Sequence, residues 1–410
     1  MDDDKKNWMI SDLHIHSRFS RACSSAINFE NLVKWARIKG LHLLGTGDFT
    51  HPKWVEEIKE KLKSNGKGFY YYQDFPFVIS GEISLIYTDK GKGRRIHLVI
   101  LVPSIEIAEK INSYLDAKGR RDYDGRPVFK ISGGEFVEEM MKISTEIEII
   151  PAHIWTPWFG LFGSMSGFDS LKECFGKQIE NIHSIETGMS SDPEMNWRIK
   201  ELEGKSIVSF SDAHSFWPFR LGREATIFRR CDSYFELIKQ IRENDFIATI
   251  ETDPAYGKYH WDGHRNCNFS SGPEKTKELN GICPVCKKPL TRGVEYRVEE
   301  IENPESNYLN KKRFYKILPL HEIIALSTGN SNMQSKKVWK IYDNLIKEFG
   351  NELEISLNVS LDKLLEKNIE DKLARLIIKN RFGKIKVKPG YDGEYGVAQL
   401  GEIENQGKLF

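Results

Sequence analysis

The sequence predicts an α/β fold: a β/α barrel, then a small zinc-binding unit, then a mainly helical C-terminal domain. Three observations carry this expectation. Short β-rich runs alternate with helical patterns from Trp8 to about Thr252, the form taken by parallel strands joined through crossover helices. Histidines and carboxylates fall within or just after those β-rich runs, and three of the six cysteines crowd between Cys267 and Cys286. A chain of 410 residues suggests two or three domains, with boundaries expected at 1–253, 254–290 and 291–410.

The strand candidates are, in order, Trp8 to Ile10, Leu41 to Thr46, Phe77 to Tyr87, Arg95 to Val102, Ile147 to Ile150, Ile182 to Ile185 and Ser206 to Phe210. Asn28 can cap a helix whose Leu32, Val33 and Ala36 share one face before Gly40 ends it. Pro193 to Leu202 and Tyr234 to Glu243 read as later helices. Tyr256 to Pro289 is rich in aromatic, His, Cys, Gly and Pro residues without clear periodicity, as a metal-organised unit would be. Beyond about Leu318 the pattern is mostly helical. Val338, Ile341, Tyr342, Leu345 and Phe349 form one stripe, a further helix is expected over Ile369 to Lys379, and Lys384 to Lys388 alternates like a strand.

Composition excludes several classes. Sixty Lys and Arg against fifty-nine Asp and Glu leave a net charge of +1, so any nucleic-acid face must be local. At 40% hydrophobic residues the chain can build a core, and no long apolar run or basic-then-apolar leader is present. A soluble, cytoplasmic and nucleoid-associated protein of a reducing compartment is expected.

The chemistry is expected where candidate ligands meet. Asp12-Leu13-His14-Ile15-His16 follows the first strand, Asp48 the second, Glu82 and His97 lie within the third and fourth, His153 follows the fifth, and Asp212-Ala213-His214 the seventh. In a closed β/α barrel the carboxyl ends of the strands meet at one face, so these positions converge. Imidazole with carboxylate suits zinc or manganese, and there are more ligands than one catalytic ion needs. More than one ion would therefore sit there, and phosphoester hydrolysis is the natural reaction.

This arrangement resembles the PHP (polymerase and histidinol phosphatase) family over about residues 8 to 250, which implies a PHP-type distorted barrel. The resemblance implies ligands at His14, His16, Glu82, His97, His153, Asp212 and His214 for two or three Zn2+ ions, with Mn2+ or Mg2+ as alternatives. It departs at Gly47-Asp48-Phe49, where the family's Thr-Asp-His turn supplies a histidine to a third ion; Asp48, His51 or Asp192 could compensate. The phrases Gly45 to Pro52, Pro151 to Gly160, Glu186 to Pro193, Gly263 to Cys267 and Pro389 to Gly396 resemble the endonuclease Q branch across nearly the whole chain. That resemblance implies DNA carrying deaminated bases (uracil, hypoxanthine, xanthine) or abasic sites as substrate, cut on the 5′ side of the lesion, with Glu82 and Asp212 bridging ions and Asp192 as ligand or proton carrier. The damaged base would be flipped out to be read.

His264-x-x-Cys267 and Cys283-x-x-Cys286 have the spacing of one structural Zn2+, with His260 an alternative to His264 and a redox pair the competing reading. Trp155, Trp158 and Phe159 begin an aromatic loop that would either stack on DNA bases or form a lid on the barrel. From Lys372 to Lys388 no acidic residue occurs, which makes Lys384, Lys386 and Lys388 candidate phosphate contacts. Gln406 to Phe410 resembles the start of a sliding-clamp peptide, usable by a longer C-terminus. Two rivals to the repair nuclease remain: a small-molecule phosphatase on the same barrel, and a non-catalytic DNA-binding module with structural metals.

Overall fold

The computed structural model describes residues 4–399, so the clamp-like residues Gln406 to Phe410 lie outside the described residues. Seven strands form a distorted ring: β1 (Trp8–Asp12), β2 (Leu43–Gly45), β3 (Phe75–Asp89), β4 (Lys92–Val102), β5 (Glu148–Pro151), β6 (Ser184–Glu186) and β7 (Ser206–Val208). β1, β2 and β3 pair in parallel, β6 and β7 pair in parallel, and Ile154 N–H donates to Glu186 O to join β5 to β6. A parallel bridge between Ile15 and Ala213 closes the ring from β7 to β1.

Local sequence explains the elements around this ring. Helix α1 (Phe29–Lys39) starts where the Asn28 side chain accepts from Asn31 N–H, and ends at Gly40, whose φ of 100° suits glycine. Its Leu32, Val33 and Ala36 are buried, as the spacing predicts. Helix α2 (Pro52–Lys61) has proline in its first turn. Helices α3 (Ile105–Asp116), α4 (Gly133–Ile143) and α5 (Leu171–Phe175) begin at Ser104, Ser132 and Ser170, whose side chains accept from the backbone N–H three residues on.

The expectation of parallel strands throughout is corrected at β3–β4. These strands form an antiparallel hairpin with Ser84 opposite His97, and β4 pairs antiparallel with β5. The cause is the turn: Lys90 and Gly91 both have positive φ, 47° and 77°, the two-residue geometry that returns a strand beside itself. The Pro193 to Leu202 helix is also corrected. Only α6 (Pro193–Asn196) and a 3-10 turn at Lys200–Leu202 form, with extended backbone at Ile199 between them.

β1 is shared with an outer sheet, pairing antiparallel with β8 (Ala225–Arg229). Helix α7 (Tyr234–Arg242) connects β8 to β9 (Ala248–Glu251). After the hairpin of β10 (Asp262–His264) and β11 (Phe269–Ser271) come α8 (Pro273–Glu278) and α9 (Val294–Ile301), whose Val294 and Val298 enter the barrel core. β12 (Arg313–Lys316) then pairs in parallel with β9, tying the chain beyond 290 to the barrel sheet.

Helices α10 (Leu320–Thr328), α11 (Lys336–Phe349), α12 (Glu352–Leu357), α13 (Leu361–Glu366) and α14 (Asp371–Arg381) enclose a separate core that includes Val338, Tyr342, Leu345 and Ile377. The short strands β13 (Lys386–Lys388) and β14 (Val397–Gln399) follow. This unit docks on α1 through the buried Lys39–Glu352 ion pair, 2.7 Å, and through Trp339 packed against Trp35 and Trp217. No described helix is long and apolar enough to cross a membrane.

Candidate active site

The segment leaving β1 sets the site. Leu13 and Ile15 are buried in the wall, and the alternate residues His14 and His16 carry their rings into the mouth of the ring. Glu186 Oε1 lies 2.9 Å from His14 Nδ1, and Asp48 Oδ1 lies 2.9 Å from His16 Nδ1. With each Nδ1 held by a carboxylate, both Nε2 atoms face inward. They meet Glu82 Oε2 at 3.5 and 3.2 Å and Asp212 Oδ1 at 3.5 and 2.9 Å. The other oxygen of Glu82, Oε1, faces His97 Nδ1 at 2.7 Å and His153 Nε2 at 3.2 Å. Glu82 therefore stands between two donor sets, His14–His16–Asp212 and His97–His153, and within each set taken with Glu82 the ligand atoms lie within 4.8 Å of one another.

The backbone is unusual at these positions. Asp48, His153 and Asp212 have φ of 45°, 31° and 49°, the left-handed region that costs energy outside glycine. Charge is concentrated too. Burial alone would raise the Glu82 carboxyl, but His97, Arg126 and His14 outweigh it and hold the group well below its ordinary range. Burial opposes protonation of His14 and His16, yet Glu186 and Asp48 beside them, with the other carboxylates, hold both rings well above theirs. Burial pushes His97 down to about 4.

These residues fit divalent cations. The buried His14 Nε2 has no hydrogen-bond partner although two carboxylate oxygens face it, and the lone pairs of both donor sets converge on Glu82. A cation would take the place of the protons that otherwise balance these carboxylates.

Several expected site residues are placed differently. Asp48 holds His16 instead of joining a donor set: its Oδ2 accepts from Ser17 N–H and Oγ, both at 2.6 Å, and from Ser20 Oγ at 2.8 Å, so no oxygen is left for an ion. Asp192 caps α6, accepting from Met195 N–H at 3.0 Å, and its other oxygen pairs with Lys316 at 2.8 Å. It is outside both donor sets. His214 lies beside the cluster, its ring 4.5 Å from that of His16 and its Nδ1 donating to Asp212 O. His51 donates to Asp122 O and stacks on Phe19. The structure thus does not gather His214, Asp48, His51 and Asp192 into a third set.

The aromatic loop divides. Trp155 is 1% exposed and donates through Nε1 to Asn196, which makes it core and removes it as a DNA-stacking candidate. Trp158, 36% exposed, and Phe159, whose ring lies 4.5 Å from that of His97, border a cavity of about 640 Å³ above the cluster. Lys384, Lys386 and Lys388 are exposed, whereas Arg381 of the same basic run donates to the carbonyls of Ile355, Ser356 and Val359.

Two site residues escaped the sequence reading. Arg126 Nη1 contacts Glu82 Oε2 at 3.0 Å and borders the cavity; it stands in a loop with no strand or spacing signal. Glu186 was detectable, since it ends β6 and so occupies a slot equivalent to those of the other ligands.

In the second unit, His264, Cys267, Cys283 and Cys286 bring their ligand atoms within 4.8 Å of one another, with Cys286 Sγ 3.4 Å from His264 Nδ1. His260 is turned to Glu295, 3.6 Å away, and is not in this group. Three thiols and one imidazole at this spacing fit a closed tetrahedral ion.

The fold and the donors place the molecule among α/β barrels with a histidine-carboxylate cluster at the mouth, joined to a cysteine-histidine unit and a helical C-terminal region. The chain resembles endonuclease Q over nearly its whole length. It superposes on the crystal structure of the novel lesion-specific endonuclease PfuEndoQ from Pyrococcus furiosus with a TM-score of 0.88 and 28% identity, covering 98% of each chain. An endonuclease Q in complex with a 27-mer duplex substrate with an abasic lesion at its active site gives 0.86 and 28%, covering 98% of this chain and 100% of that one. Residues 319–384 match the MJ0043 C-terminal domain family. The uncharacterized protein MJ0043 of Methanocaldococcus jannaschii is 36% identical over 249 residues, 59% of this chain but 31% of that protein, so the match spans about a third of that curated relative. The uncharacterized protein YqxK of Bacillus subtilis is 26% identical over 381 residues, 89% of this chain and 90% of its own.

Proposed function

We propose that the protein is a metal-dependent endodeoxyribonuclease that recognises deaminated bases and abasic sites in DNA and hydrolyses the phosphodiester on the 5′ side of the lesion, leaving a 3′ hydroxyl and a 5′ phosphate. The observation that carries this reading is Glu82, whose two oxygens face separate donor sets, with His97, His153 and Asp212 of those sets lining an open cavity. The similarity to endonuclease Q, including a relative solved on abasic DNA, supports the substrate class.

His14, His16, Glu82 and Asp212 would hold one ion, and Glu82, His97 and His153 a second, with Zn2+ the favoured ion and Mn2+ or Mg2+ alternatives. Divalent cations in such a pair supply Lewis-acid activation of water and charge stabilisation for in-line displacement at phosphorus. The chain's own residues prepare for this. Glu186 and Asp48 fix the orientation of His14 and His16. Arg126 adds a guanidinium at the cavity wall, where it can meet a phosphate oxygen. Trp158 and Phe159 form an aromatic wall that narrows access of water. His264, Cys267, Cys283 and Cys286 would hold one structural Zn2+, and Lys384, Lys386 and Lys388 would contact DNA phosphates. In domain terms the barrel would run to about 253, the zinc unit to about 290 and the C-terminal domain from there, its helical core coinciding with 319–384.

Asp212→Asn and Glu82→Gln test the assignment. Each is expected to abolish incision while lesion-containing duplex still binds, measured by gel cleavage and fluorescence anisotropy on the same preparation. Either variant cutting at near wild-type rate would remove the metal assignment.

A further inference from the structure

With Trp155, Phe162 and Phe168 buried, most of the aromatic loop after His153 is unavailable to a ligand, and an exposed ring at the mouth comes from elsewhere in the chain. Tyr395 is 53% exposed. It borders the cavity of about 640 Å³ above the metal cluster, an adjoining one of about 520 Å³ toward α10, and a third of about 310 Å³ beside the zinc unit. It is the point at which the three meet.

The loop that carries it is tied down on both sides. Gly390 N–H donates to Ala255 O at 2.8 Å, Gly396 N–H to Tyr256 O at 3.1 Å, and Tyr391 and Glu394 exchange two backbone bonds. Asp392 accepts from Arg265 N–H at 2.8 Å and from Thr291 Oγ1 at 2.7 Å. A Cβ on Gly390 or Gly396 would lie 2.3 or 2.1 Å from the carbonyl oxygen of Gly257 or Ala255, so the loop fits its seat only with glycine there. These contacts fix the backbone that presents the ring at the mouth. Cations surround the ring: Lys258 Nζ is 4.5 Å from its centroid, Arg220 lines two of the cavities, and Arg265 and Lys388 line the third.

We propose that Tyr395 is a DNA-positioning residue that packs its ring on the face of a nucleobase next to the lesion, while the flanking cations hold the adjacent phosphates. This rests on the DNA-endonuclease reading. Every base presents a π-face, so the contact is sequence-tolerant; it fixes the path of the strand through the three cavities rather than the identity of the lesion. The phenolic oxygen is not required.

The test uses the full chain loaded with Zn2+ and a duplex carrying 2-aminopurine beside a tetrahydrofuran abasic site, read by stopped-flow fluorescence before incision, with anisotropy for affinity. Wild type and Tyr395→Phe should bind alike and give the same 2-aminopurine change. Tyr395→Ala and Tyr395→Leu should bind about 10-fold or more weakly and lose the change, at unaltered melting temperature. Tyr395→Ala retaining both affinity and signal would overturn the proposal, as would Tyr395→Phe losing them. Failure of the wild type to bind any duplex overturns the DNA reading itself, and the proposal with it, before any variant is compared.

Discussion

Glu186 gives one oxygen to His14 Nδ1 and the other to His153 N–H, at 2.9 and 2.8 Å, so a single buried carboxylate positions a member of each donor set. An amide has one acceptor oxygen and one donor nitrogen, and can satisfy only one of these two partners. Glu186→Gln should therefore weaken divalent-ion binding by about 10- to 100-fold, measured by competition with a chromophoric chelator, without touching an ion itself. Unchanged affinity would mean that the orientation of His14 is set elsewhere. At this scale the sequence was informative about which side chains converge and poor about what each does there. His14, His16, Glu82, His97, His153 and Asp212 could be placed from their positions relative to strands. Asp48 and Asp192 occupy equally suggestive positions, but one is consumed by a histidine and two serines and the other by a helix cap and Lys316. Direction of a carboxylate is a tertiary property that spacing along a chain does not encode.

The loop between α3 and α4 acts on the site from behind. A Cβ at Gly125 would stand 2.1 Å from Asp48 Oδ2 and 2.3 Å from Ser20 Oγ, against the group that orients His16. Gly125→Ala is thus expected to displace Asp48 and to lower incision by about 10-fold or more while global melting changes little; a steady-state comparison with wild type measures it. Elements with a strong local signal were readable: the Asn28-capped helix, the stripe on α11 and the paired knuckles of the second unit. The β3–β4 hairpin was not read as such. Its turn, Lys90-Gly91, has positive φ at a lysine, a conformation more familiar at Asn-Gly, so the composition of the turn concealed the reversal. That reversal matters for function, because it carries His97 to the mouth from within an antiparallel strand rather than from the end of a parallel one.

Across the whole molecule, the helical unit is joined to the barrel by a contact that includes an unusual histidine. His321 is 0% exposed, neither ring nitrogen has a hydrogen-bond partner, and Phe219, Trp339 and Tyr342 pack against it. Burial foremost pushes it down to about 4 from 6.5, with Glu352 raising it and Lys39 lowering it. A histidine freed by unfolding takes up its proton near 6.5, so the unfolded state binds more protons between these values. Stability from neutral His321 is complete above about pH 6.5 and falls as pH drops toward 4, by up to about 1.4 kcal/mol per pH unit. His321→Phe should flatten this limb when melting temperatures at pH 7 and pH 5 are compared with those of wild type; an identical acid loss in the variant would place the effect elsewhere. The sharing of the barrel sheet with β12 was not legible in the sequence, because a four-residue strand far from its partner has no local signature.

Whether this barrel cuts DNA at lesions is decided with end-labelled duplexes of one sequence. They would carry uracil, hypoxanthine, an abasic site or no lesion, and be incubated with the protein and Zn2+, Mn2+ or Mg2+. Incision is expected immediately 5′ of the lesions, with 3′ hydroxyl and 5′ phosphate ends and the undamaged duplex intact. Intact duplexes with every ion, or equal cutting of damaged and undamaged DNA, would contradict it.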